Sequence, residues 1–166
     1  MRYTLIIIIP LTVTLGLAGC DFGHWSDGSN KIPSTFSSNG ERIYFTGKSE
    51  SGRPVKAYGT GSHSSMHRQM HGGGCAACHG ADRQGLRQFP LFWNKTPALT
   101  AQALFKSEDH NHSGSSDHAH VSYTKESLRV AITEGIGPAG KPLGVDMPRW
   151  EMDEQDLYDL VRYLQE

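Results

Sequence analysis

The chain has 166 residues, with 16 Lys and Arg against 17 Asp and Glu and a formal net charge of −1. That balance, without any basic stripe, argues against nucleic acid as a partner. Hydrophobic residues are only 37% and glycines number 19, so one domain with a thin polypeptide core is expected, and a bound apolar group would supply much of the missing contact.

The N-terminus reads as an export leader. Met1-Arg2 is a short positive start, and the apolar run from Leu5 to Leu17 is broken by Pro10, Thr12, Thr14 and Gly16. It is short for a spanning helix, and Pro10 lies inside it. Leu17-Ala18-Gly19-Cys20 resembles a bacterial lipobox, in which the cysteine is lipidated and becomes the mature N-terminus. Residues 1–19 are then a lipoprotein signal peptide. An ordinary signal-peptidase site that leaves Cys20 as a spare thiol is the alternative. The cysteine count favours lipid: of three cysteines, Cys20 takes the lipid and Cys75 and Cys78 form a pair, so no free thiol is left in an oxidising compartment. Asp21 after Cys20 resembles an inner-membrane retention signal. The expected location is therefore the periplasmic side of a bacterial membrane, with the inner membrane favoured. Residues 20–38, rich in Gly and Ser, read as a flexible tether.

The first helix is expected from Asn39 to Thr46, with Asn39 as a possible N-cap and Gly47 as the stop. A long polar loop follows to Gly74. It contains His63, Met66, His67, Met70 and His71, and a later polar loop contains His110, His112, His118 and His120. Loops this long are uncommon unless functional or mobile. His63, His67 and His71 recur every four residues, so a helix would align them beside Met66 and Met70, a set suited to copper or zinc. Flanking Gly and Ser weaken such a helix, and a bland mobile loop is the preferred reading.

Cys75-Ala76-Ala77-Cys78-His79 is the most informative motif. The C-x-x-C-H spacing lets two thiols add across the vinyl groups of a haem while the adjacent imidazole reaches the iron. A zinc half-site would need a second ligand pair, yet no cysteine follows Cys78. A thioredoxin-like pair would open a helix after a strand, whereas Gly72-Gly73-Gly74 precedes this one.

The C-terminal third carries two helix patterns. Thr124 caps a helix expected from Lys125 to Glu134, with Leu128, Ala131 and Ile132 on one face and Gly135 ending it. Tyr123 and Leu128 occupy hydrophobic-staple positions, as do Met152 and Leu157 around the final helix. Asp153 caps that helix, and Asp156 takes the third position of a capping box. Leu157, Leu160, Val161 and Leu164 form its apolar stripe.

Taken together, residues 39–166 resemble a class I cytochrome c domain. Gly40-Glu41-Arg42-Ile43-Tyr44 resembles that family's first helix, Cys75 to Gly80 its attachment motif, Pro97-Ala98-Leu99 its post-haem segment, and Leu157–Leu164 with Tyr163 its C-terminal helix. The resemblance implies an all-α fold around one covalently bound haem c, here with long irregular loops. It implies that Cys75 and Cys78 attach the haem, that His79 binds iron, and that a proline carbonyl orients His79. Pro97 matches that proline, with Pro90 as the alternative. Leu99, Tyr123 and Trp150 are candidate pocket residues. The distal iron ligand is expected to be Met147, in Asp146-Met147-Pro148-Arg149-Trp150, just before the last helix. Met66 and Met70 lie on the wrong side of the motif for the family's topology, and Met152 fits the staple.

A thioether in the sixth position closes the iron to substrate. The expected function is thus a lipid-anchored monohaem electron carrier, not an enzyme, working between membrane-bound redox donor and acceptor proteins. The alternatives are a haem enzyme or ligand sensor with an opened distal site, or an accessory copper- or zinc-binding protein using the His/Met-rich loops.

Overall fold

Among the described residues, seven short elements follow one another: α1 (Asn39–Thr46), β1 (Lys56–Tyr58), α2 (Ala76–His79), α3 (Ala101–Phe105), α4 (Lys125–Thr133), β2 (Arg149–Glu151) and α5 (Glu154–Leu164). The computed structural model describes residues 32–59, 73–87, 95–106 and 121–166. Cys20, Met66, Met70, Pro90 and both histidine runs lie outside the described residues.

The centre of the fold is the crossing of α1 and α5. Leu157, Leu160, Val161 and Leu164 of α5 are all buried, as are Ile43, Tyr44 and Phe45 of α1. These close on Leu104, Leu128, Ile132 and Trp150 in one core. Gly40 makes the close crossing possible. A Cβ there would stand 2.6 Å from the carbonyl carbon of Asp159 and 2.9 Å from Cβ of Tyr163.

The caps explain why these helices begin where they do. At α1 the N-cap is Ser38, not the expected Asn39: Ser38 Oγ accepts from the Glu41 N–H at 3.1 Å. Either residue type can cap, but two carboxylates on α5 claim the Asn39 amide. Its Nδ2 donates to Asp156 Oδ1 at 2.9 Å and Asp159 Oδ2 at 2.8 Å, while its Oδ1 accepts from the Glu50 N–H at 2.8 Å. Helix α5 starts at Asp153, as the pattern implies, with Oδ1 accepting from the Gln155 N–H at 2.9 Å. The expected capping box does not form. Asp156, fully buried, spends Oδ1 on Asn39, on Ser49 Oγ at 2.7 Å and on Arg53 at 3.3 Å, tying α5 to α1 and the loop after it. Helix α4 does carry a capping box, between Thr124 and Ser127, and stops one residue earlier than expected. Tyr123 and Met152 pack against the same core as their staple partners Leu128 and Leu157.

The architecture is all-α with irregular loops, as expected, plus one small ribbon. Strand β1 belongs to the long loop before the cysteine pair and runs antiparallel to β2, with Lys56 opposite Glu151, Ala57 opposite Trp150 and Tyr58 opposite Arg149. Each strand is only three residues, too short for its alternation to give a strand signal. Among the described residues, no helix is long and apolar enough to cross a membrane.

Candidate functional site

Helix α2 is a single turn, with Cys75 at its N-cap position and Cys78 inside it. Three residues apart on a helical turn, the two side chains share a face. Both are half-buried and neither is in a disulfide. Burial, and then the neighbouring Cys78, pushes the Cys75 thiol up to about 12. This is the reverse of the depressed thiolate that a thioredoxin-like pair requires. Among the described residues no group of three or more His, Cys, Asp or Glu could hold a metal ion, so the zinc alternative lacks a ligand set there.

His79 is 6% exposed, and its Nδ1 lies 2.8 Å from the carbonyl oxygen of Pro97. A carbonyl only accepts, so Nδ1 carries the proton and Nε2 keeps its lone pair. Burial lowers the His79 pKa, and the Pro97 hydrogen bond opposes this more weakly. The imidazole is thus neutral, oriented and monodentate, the form in which histidine binds a metal.

The surroundings hold this turn from several sides. Tyr44 on α1 donates its buried hydroxyl to Gly80 O at 2.6 Å. Thr96 Oγ1 donates to the carbonyl of Cys78 and accepts from the Leu86 N–H at 2.9 Å, so the residue before Pro97 sets the height of that carbonyl. Leu99 N–H donates to Arg83 O at 2.7 Å, and Arg83 Nη1 donates to Tyr163 O at 2.9 Å, joining the segment after the motif to α5. Tyr44 was visible in the sequence only as a helix aromatic, and Thr96 carried no signal apart from its place beside Pro97.

The remaining candidates fall around the same core. Met147 and Leu99 are half-buried and pack against it, as does Cys75. Tyr123 is half-buried, and burial raises its pKa. Trp150 is buried, with an indole Nε1 that finds no acceptor among the described residues. An orphaned buried donor fits a pocket whose acceptor belongs to a bound group. The paired thiols, the neutral oriented imidazole and this unused donor together suit a covalently attached haem.

The cytochrome c family matches residues 37–166. The chain belongs to the cytochrome c family. No curated protein and no solved structure matches it. This cytochrome therefore has haem c as its cofactor and serves electron transfer, and Cys75, Cys78 and His79 carry the spacing of the family's attachment motif.

Proposed function

We propose that this cytochrome is a lipid-anchored, monohaem electron carrier. In this reading Cys75 and Cys78 would hold the haem, and His79 and Met147 would ligate its iron. The reading rests chiefly on His79, buried with Nδ1 committed to Pro97. It is supported by Met147, half-buried on the core that also receives Cys75. The haem supplies a one-electron centre, and thioether ligation favours its reduced state and raises its potential. The polypeptide's part is to present a neutral imidazole, keep the thioether in place and exclude water. Leu99, Tyr123 and Trp150 would line the pocket, and Trp150 Nε1 would be free to donate a hydrogen bond to the bound group.

Cys20 is the lipid site, and residues 20–38 tether the domain to the periplasmic side of a bacterial membrane. The partners would be redox proteins in or near that membrane, one delivering and one accepting electrons. Oxidised and reduced optical spectra test the central claim. The expected wild-type spectrum is six-coordinate and low-spin, with a sulfur-to-iron charge-transfer band lost in Met147→Ala. Replacing Cys75 and Cys78 together removes covalent haem from the denatured chain. Cys20→Ser releases the domain from membranes. Wild-type protein that binds carbon monoxide readily would overturn the carrier and point to a haem enzyme or sensor.

A further inference from the structure

The loop between α4 and β2, which carries Met147, is closed at its base by one side chain. The guanidinium of Arg149 lies against Gly135, where φ is +72° and an added Cβ would fall on the guanidinium itself. Its Nη2 donates to Leu143 O at 3.2 Å and its Nη1 to the carbonyl of Met147. One planar fork thus joins the end of α4 to two later points of the loop. The loop's own backbone bonds are four: Leu143 N–H donates to Gly135 O at 2.7 Å, Gly137 N–H to Lys141 O at 2.8 Å, Gly140 N–H to Gly137 O at 2.9 Å and Met147 N–H to Gly144 O at 3.1 Å. Arg149 acts from a fixed point, because its backbone lies in β2 and pairs with Tyr58 of β1. The sequence showed Arg149 only as a neighbour of Met147.

We infer that Arg149 is a positioning residue for the distal ligand, a fork that holds the loop of residues 135–148 closed and keeps the Met147 thioether in place. This rests on the reading that Met147 is the distal ligand. Two carbonyls at a set spacing need two donors in a plane, which guanidinium supplies and an ammonium does not. Without the fork the loop opens more often, and each opening exposes the site to small ligands. An exogenous ligand binds only the open population, so its apparent affinity reports how large that population is.

The test uses the full, haem-loaded chain and reads two quantities, the cyanide affinity of the oxidised protein and the intensity of the charge-transfer band. Arg149→Met, which keeps the bulk and removes the donors, should tighten cyanide binding by about tenfold or more, the effect of losing one charge-assisted hydrogen bond. The band should persist at reduced intensity. Arg149→Lys should fall between this variant and wild type. Gly135→Ala should reproduce the effect with the arginine present, by displacing it, and these two variants carry the test if Arg149→Met does not mature. Arg129→Ala, which breaks the ion pairs with Glu126 and Glu154 away from this loop, should change neither quantity. Wild-type cyanide affinity and a full band in Arg149→Met, or in both other variants, would overturn the inference. If Met147→Ala loses the band while Arg149→Met is unchanged, the clamp alone fails. If Met147→Ala retains the band, the ligand assignment beneath it fails.

Discussion

Replacing Gly40 with alanine should destabilise this cytochrome by about 2 kcal/mol. The new Cβ would lie 2.6 Å from the Asp159 carbonyl carbon and 2.9 Å from Tyr163 Cβ. Non-bonded carbons rest at about 3.5–4.0 Å, so α1 and α5 must separate by roughly 1 Å. Backbone and Cβ atoms form the obstacle, and no rotamer change relieves it. Overpacking of this kind costs about 1–3 kcal/mol, and a gap of that size weakens the dispersion contacts of Ile43 and Tyr44 with Leu160, Val161 and Leu164. Alanine returns at most about 1 kcal/mol through helix propensity, and less in the first turn, where Gly40 sits. Urea unfolding followed by helicity should show a lower midpoint with an unchanged slope, and the melting temperature should fall by roughly 6–10 °C. Gly144→Ala is the control, because a Cβ there meets nothing within 4 Å. Its stability should stay within about 0.5 kcal/mol of wild type. A Gly40→Ala protein as stable as this control would refute the close crossing.

Other substitutions probe the contacts around the haem-binding turn and α5. Tyr44→Phe removes the 2.6 Å hydrogen bond to Gly80 O, but that carbonyl still accepts from the Arg83 N–H at 3.2 Å, so the loss should be about 1 kcal/mol by urea midpoint. An unchanged midpoint would show that the hydroxyl holds nothing. At Asp156, burial favours the neutral acid, yet hydrogen bonds from Asn39, Ser49 and Arg53 outweigh it and leave the pKa below the usual carboxylate value. A depressed pKa in the folded state contributes stability above the unfolded value of about 4 and loses it as pH falls through the folded one. Asp156→Asn should therefore be less stable than wild type at neutral pH, and the difference should shrink on acidification below about pH 4. Parallel urea midpoints from neutral to acidic pH check this, and a gap that stays constant would remove Asp156 from the acid response.

Features read correctly in the sequence share one property: their causes lie within a few residues. The thiols and imidazole of Cys75, Cys78 and His79 owe their geometry to spacing along one helical turn. Thr124 and Asp153 cap their helices through N–H groups two or three residues ahead. Tyr123 and Leu128, like Met152 and Leu157, are close in sequence and reach one core, and the apolar stripe of α5 follows from helical period alone. The misread features had remote causes. Ser38 replaced Asn39 as cap because Asp156 and Asp159, more than a hundred residues later, take the asparagine amide. Asp156 left its capping box for the same reason, since its side chain is short for reaching back and three donors from α1 and the following loop converge on it.

By itself, the sequence determined the haem chemistry, the helix periods and most of the helix ends, because bonding within a turn depends on residue type and offset. Only the tertiary structure decided which carbonyl receives the His79 N–H, since Pro97 reaches Nδ1 through a segment pinned by Thr96 to Cys78 and Leu86. It also decided that β1 pairs with β2, and that Arg149 turns back on Gly135, Leu143 and Met147. Such contacts depend on where distant backbone comes to rest, and a residue's identity does not encode which carbonyl will stand opposite it once the chain has closed.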